Sequence, residues 1–116
     1  MSEREELQDI SERILSECHN LENTLLVKNQ FYGNAAFKSP VLAPQLPPAM
    51  VILVRMSDKF ERLRHIASGN NYLYKDVVGE TILDTLLDLA GYALLERIAL
   101  KELYDGEKEG SGNNPE

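Results

Sequence analysis

The spacing of apolar residues predicts three amphipathic helices. In the first, from about residue 3 to 29, apolar side chains recur every three or four positions, which places them on one helical face. Ser2 is a suitable N-cap, and the acidic residues after it suit the positive end of the helix dipole. The apolar face consists of Leu7, Ile10, Ile14, Cys18, Leu21 and Leu25.

The second and third predicted helices span about residues 49–67 and 75–103. Pro48 suits the first turn of the second helix and Gly69 its end. Its apolar stripe consists of Ile52, Met56, Phe60, Leu63 and Ala67. The third helix is apolar on most sides, as a central helix is. Residues 1–104 are therefore predicted to form one all-α domain, an antiparallel helical bundle of three main helices. Because three helices cannot cover so much apolar surface, we expect oligomerisation to complete the bundle, most simply as a homodimer.

Two segments break the helical pattern. Residues 30–48 contain several prolines and Gly33, which exclude a regular helix. The same segment holds Phe37, Val41 and Leu42, so we predict a long, ordered, Pro-rich loop that packs on the helices. Residues 105–116 are polar and glycine-rich, and we expect a disordered tail there.

Charge and composition limit the classes of binding partner and the cellular location that we expect. The formal net charge is −7, which disfavours duplex nucleic acid and anionic membranes but tolerates a free nucleotide bound with a metal. No apolar run is long enough to span a membrane, and the N-terminus lacks the pattern of a signal peptide, so a cytoplasmic location is expected. Cys18 is the single cysteine, and its place on an apolar stripe predicts a buried structural thiol.

An acidic stripe stands out in the third predicted helix. Glu80, Asp84 and Asp88 are spaced at i, i+4 and i+8, so they align on one helical face. Like charges at this spacing repel each other. The stripe is either the solvated face of the helix or a set of oxygen ligands for a magnesium ion.

The second predicted helix carries a mixed stripe with a basic excess. Arg55, Asp58, Lys59 and Arg62 share a face through steps of three and four. Three interpretations are open. The stripe is a salt-bridged surface, or it pairs with the acidic stripe of the third helix. Alternatively, Asp58 adds a metal ligand while the cations bind phosphate oxygens.

The start of the loop has a composition suited to binding a base. Lys28, Tyr32 and Asn34 offer a cation, an aromatic ring and an amide within seven residues. A tyrosine ring can stack on a base, and an asparagine can hydrogen-bond its edge. The alternative is an ordered turn in which Tyr32 and Phe37 plug the core.

Three blocks of sequence, taken in this order, resemble the phage-associated family called the nucleotide modification associated domain, first type. They are residues 28–37, 55–63 and 80–92. The third block also resembles the second metal-binding helix of the all-α NTP pyrophosphatases, the MazG and dimeric dUTPase group. That resemblance implies magnesium ligands at Asp84 and Asp88. The glutamate pair that the first helix of that group carries is not matched here, and Asp58 and Glu61 are the substitutes that this sequence offers.

The resemblance implies one pocket on a phage-encoded protein in the host cytoplasm. Its magnesium ligands would be Asp58, Glu80, Asp84 and Asp88, and its nucleotide-binding residues Lys28, Tyr32, Asn34, Arg55, Lys59 and Arg62. Three functions fit the sequence: a magnesium-dependent nucleoside triphosphate pyrophosphohydrolase, a non-catalytic protein that sequesters a nucleotide such as a host immune signal, and a purely structural helical interaction module.

Overall fold

The computed structural model describes residues 2–32, 34–69 and 81–112. Three α-helices account for most of these residues: α1 (Glu3–Tyr32), α2 (Pro48–Ser68) and α3 (Ile82–Gly112). A short 3-10 turn, Ala35–Phe37, lies between α1 and α2. The predicted all-α class is thus confirmed for the described part of the chain. The chain divides into two units, Met1–Gly33 and Asn34–Glu116, which are described separately.

The first unit is the helix α1. Ser2 caps its start as predicted, because the backbone N–H of Glu5 donates to Ser2 Oγ at 3.2 Å. The helix ends three residues later than expected, at Tyr32. Leu7 and Ile14 of its apolar face are exposed. Cys18 is exposed too, so the prediction of a buried thiol is wrong. The reason is that no second helix within this unit covers the face.

An irregular segment opens the second unit. Asn34 adopts a left-handed backbone conformation, with φ 63°, which asparagine tolerates better than most residues. Two consecutive turns follow: the N–H of Ala43 donates to the carbonyl of Pro40, and the N–H of Leu46 donates to that of Ala43. These bonds agree with the predicted ordered but irregular loop.

The apolar side chains of this segment divide into two groups. Phe37 packs against the core of the second unit, as its plugging role predicts. Val41 and Leu42 are 94% and 98% exposed, so the expectation that they pack on the helices is wrong. They are the two central residues of the turn closed by the hydrogen bond between Pro40 and Ala43. Side chains at the central positions of a tight turn point away from the segments that enter and leave the turn.

Helices α2 and α3 run in opposite directions. Near the start of α2, Ala49 and Ile52 pack with Ala99. Further along α2, Lys59 contacts Asp88, which lies earlier in α3. Contacts that advance along one helix and retreat along the other define an antiparallel pair. The arrangement of α1 with this pair in a three-helix bundle stays a prediction.

The α2–α3 interface follows alternating steps of three and four residues, as in a coiled coil. On α2 the buried or half-buried positions that follow this spacing are Ala49, Ile52, Met56, Lys59, Leu63 and Ile66. On α3 they are Thr85, Leu89, Tyr92, Glu96 and Ala99. The spacing gives an interface position to Lys59 and leaves Phe60 exposed. The prediction that Phe60 belongs to the core is therefore wrong.

Helix α3 departs from prediction at both ends. It begins at Ile82 rather than near residue 75, because Thr81 is not helical and caps the helix. Residues 75–80 lie outside the described part of the chain. At the other end α3 continues to Gly112, so residues 105–112 are helical where we expected a disordered tail. Lysine and glutamate among these residues are good helix formers that offset the cost of the glycines.

Candidate functional site

The mixed stripe of α2 lies along its junction with α3. Arg55, Asp58 and Arg62 follow one another at helical spacing on one flank of α2, and Lys59 lies between this flank and the interface. Lys59 Nζ is 2.8 Å from Asp88 Oδ2, and the two side chains are 22% and 21% exposed. One of the three interpretations, pairing between the stripes of the two helices, is thus observed for this pair.

Because the two helices are antiparallel, the residues that lie next to the Lys59–Asp88 pair can be read from the sequence. Arg62 lies one turn beyond Lys59 on α2, and Asp84 one turn before Asp88 on α3. Both therefore lie beyond the Lys59–Asp88 pair at the same end of the helix pair. Arg62 is half-buried, whereas Arg55, Asp58 and Asp84 are exposed. We call the set formed by these six residues the charged edge: Arg55, Asp58, Lys59 and Arg62 of α2 with Asp84 and Asp88 of α3.

Asp84 has a structural task at the start of α3. Its Oδ2 accepts hydrogen bonds from the N–H and the hydroxyl of Thr81, both at 2.9 Å. In return the N–H of Asp84 donates to Thr81 Oγ1 at 3.2 Å. This reciprocal pair is a capping box, which satisfies helix N–H groups that have no partner within the helix. The carboxylate is also placed at the positive end of the helix dipole.

Two residues of the predicted acidic stripe, Asp84 and Asp88, belong to α3 and lie one turn apart. Glu80 lies outside the described residues, so the prediction that it shares their face stays a prediction. Within the described ranges, no three His, Cys, Asp or Glu side chains cluster as a metal site requires. Magnesium binding stays a prediction.

The residues predicted to contact a base divide between the two units. Lys28 is exposed on α1, and Tyr32 is the last residue of that helix. Asn34 begins the second unit and is exposed, with its left-handed backbone. A pocket shared by all of these residues and the charged edge would span both units, and it stays a prediction.

The opposite side of α2 carries a second, separate ion pair. Arg64 forms a bidentate hydrogen-bonded pair with Glu61 one turn earlier. The hydrogen bond from Arg64 lowers the pKa of the Glu61 carboxyl, and the arginine's charge acts in the same direction. Both side chains are largely exposed, where such pairs contribute little stability.

Sequence reasoning missed Glu96. This residue is 6% exposed, and neither carboxyl oxygen has a hydrogen-bond partner. Its burial raises the pKa of the carboxyl, because desolvation penalises the charged form. The signal that identifies it is the interface spacing of α3, in which Glu96 follows Leu89 and Tyr92 by steps of seven and four.

Searches of protein family models, curated proteins and solved structures found no match to this chain. Among the described helices, none combines the length and apolar character needed to cross a membrane.

Proposed function

We propose that the charged edge binds a nucleotide, with phosphate groups on the basic side chains and a magnesium ion between the phosphates and the acids. Guanidinium and ammonium groups form charge-assisted hydrogen bonds to phosphate oxygens. Magnesium prefers carboxylate and phosphate oxygens and keeps several waters, so one or two protein ligands suffice. The observation that carries the proposal is the Lys59–Asp88 contact, which brings the cations of α2 beside an acid of α3.

Helix α2 carries more cations than acids, although the chain as a whole is acidic. The chain as a whole is acidic, with a net charge of −7. Yet α2 carries Arg55, Lys59, Arg62 and Arg64 against Asp58 and Glu61. Arg64 is already paired with Glu61 on the other side of the helix. The flank of α2 that adjoins α3 therefore has three cations against one acid of its own helix, and Asp84 and Asp88 of α3 bring the charged edge to equal numbers of cations and acids.

Binding is the primary proposal, and cleavage of the nucleotide is a further part of it. The resemblance to the all-α NTP pyrophosphatases favours magnesium-dependent release of pyrophosphate. A protein that sequesters a nucleotide would use the same contacts without turnover. Incubation with a panel of nucleoside triphosphates and magnesium, followed by anion-exchange chromatography, distinguishes the two by the presence or absence of products.

A structural interaction module is the second candidate function, and a specific observation favours it. Leu83, Leu86, Leu94 and Ile98 of α3 are exposed although the helix already packs on α2 through another face. Large exposed apolar surfaces mark interaction sites. Under this proposal a second copy completes a helical bundle around α3, and light scattering gives a mass near twice the 13.1 kDa of one chain. A mass of one chain at micromolar concentration contradicts it.

Calorimetric titration with ATP in the presence of magnesium tests the nucleotide proposal. Arg62→Gln removes one cation from the charged edge, and we expect binding to weaken about ten- to one-hundredfold, the effect of one lost charged hydrogen bond. Arg64→Gln is the matched control, because Arg64 lies on the same helix and pairs with Glu61 instead. Equal affinities of the parent and both variants, or no binding by the parent to any nucleotide tested, overturn the proposal.

A further inference from the structure

Glu96 is the one buried side chain in the described part of the chain whose polar atoms are recorded without a hydrogen-bond partner. Buried polar groups in folded proteins almost always have a partner, so an exception calls for an explanation. Glu96 lies on the face of α3 that packs on α2, and it is only 6% exposed. This observation is independent of the charged edge and of the nucleotide proposal.

Glu96 lies next to the apolar core of the second unit. One turn away on α3 lie Tyr92, Ala99 and Leu100. Ala99 packs with Ala49 and Ile52 of α2, and the side chains packed against these three are Phe37, Met56, Tyr92, Leu95 and Leu100. Tyr92 is the one titratable residue in this cluster.

None of the charged residues on the neighbouring elements forms a hydrogen bond to Glu96. Arg55 on α2, Lys38 after the 3-10 turn and Arg97 on α3 are all exposed, and none of them hydrogen-bonds to Glu96. Lys59 and Asp88 lie about two turns away along the interface and pair with each other. An ionised Glu96 would therefore be a buried charge without compensation, whereas a neutral carboxyl is far less costly to bury.

We propose that Glu96 makes the packing of α2 on α3 depend on protonation. With the carboxyl neutral, the interface around Ile52 is closed as described. With the carboxyl ionised, this end of the helix pair opens enough for water to reach Glu96, and Ile52 becomes exposed. The other end, where Lys59 pairs with Asp88, stays closed because both of its charged groups are compensated.

The direction of the effect follows from linkage. Burial raises the pKa of Glu96 above its value in the unfolded chain. The folded state therefore binds the proton more tightly, and this contribution to stability is fully present below the unfolded pKa. It is lost as the pH rises through the folded pKa.

Nuclear magnetic resonance on the full chain tests the proposal. The carboxyl carbon of Glu96 and the δ-methyl group of Ile52 are followed between pH 4 and 9. We expect Glu96 to titrate above the ordinary glutamate range, and the Ile52 methyl shift to change with the same midpoint. Titration of Glu96 in the ordinary range, or an Ile52 signal that does not change with it, overturns the proposal.

Two variants complete the experiment. In Glu96→Gln the side chain is always neutral, so we expect the Ile52 signal to keep its acid-side position at every pH. Glu102→Gln is the matched control, since Glu102 is exposed on the same helix, and it should titrate like the parent. An Ile52 signal that still titrates in Glu96→Gln contradicts the proposal. The titration of the Glu96 carboxyl in the parent protein tests the proposal even if neither variant folds.

Discussion

Lys59 and Asp88 form an ion pair between α2 and α3, with 2.8 Å between Nζ and Oδ2. Both side chains are about four-fifths buried, so water screens their attraction less than at an open surface. In the alternating spacing of the interface, Lys59 holds a position that an apolar residue usually occupies. We therefore expect the pair to favour this register of the two helices, as polar groups at such positions do in coiled coils.

A double-mutant cycle on this pair measures its contribution. Lys59→Met and Asp88→Asn should each destabilise the fold, because each removes one of the two charges that attract each other across the interface. The double variant should lose less than the sum of the two, with a coupling of about 1 kcal/mol in the unfolding free energy. Urea unfolding followed by circular dichroism provides the four values. Additive losses would show that the contact contributes nothing.

Truncation of Ile52 should strongly destabilise the second unit. Ile52 is 1% exposed at the centre of the core cluster. Ile52→Ala removes buried methyl groups and leaves a cavity, which typically costs about 2–5 kcal/mol. Leu53→Ala, at the next position, where the side chain is 45% exposed, is the control, and its effect should be below about 1 kcal/mol. Similar urea midpoints for the two variants contradict the packing described.

The capping box at the start of α3 makes a separate prediction. Thr81→Ala removes the hydroxyl that accepts the N–H of Asp84 and should cost about 1 kcal/mol of unfolding free energy. Thr81→Ser keeps a hydroxyl group and should recover most of the loss. Thermal melting of the three proteins provides the comparison, and equal losses for alanine and serine would exclude a capping role.

Asp84→Asn separates the two roles assigned to this residue. If Asp84 belongs to a nucleotide site, the substitution weakens magnesium-dependent ATP binding, because an amide is a poorer ligand for a hard cation. We expect this weakening, together with a small fall in melting temperature from the altered cap. A lower melting temperature with unchanged affinity assigns Asp84 to the cap alone and removes it from the site.

The stability contributions of Glu61 and Glu96 should depend on pH in opposite directions. Glu61 has a pKa lowered by Arg64, so any stability from that pair is present above the unfolded pKa and is lost as the pH falls. For Glu96, whose pKa is raised by burial, stability is lost as the pH rises. The difference in urea midpoint between Glu96→Gln and the parent should therefore be largest at alkaline pH and shrink on acidification. A constant difference contradicts this expectation.

Local signals in the sequence predicted the helices well. Ser2 caps α1 and Pro48 begins α2, as expected, because both effects depend on a few neighbouring residues. The start of α3 was misplaced because the apolar pattern before Thr81 outweighed a threonine that caps the helix. Its later end at Gly112 was missed because glycine content was given more weight than the helix formers between the glycines.

Tertiary features were harder to predict from one sequence. Phe60 continues the apolar spacing of Ile52 and Met56, so the sequence pattern assigned it to the same stripe. The interface instead steps from Met56 to Lys59, whose partner Asp88 belongs to the other helix. The stripe of cations on α2 was found because its spacing is local. Glu96 was missed because its burial depends on a partner helix whose register the sequence does not state.

Because α2 and α3 are antiparallel, contacts at different places along the pair close loops of different length. The chain entropy lost on forming each contact differs accordingly. Lys59 and Asp88 are closer along the chain than Ile52 and Ala99. Closing the shorter loop loses less chain entropy. Once the Lys59–Asp88 end is joined, each further turn toward Ile52 adds contacts between segments that are already close. Chain entropy therefore favours closure of the helix pair from its connected end, and we expect the turn that buries Glu96 to be among the last to form.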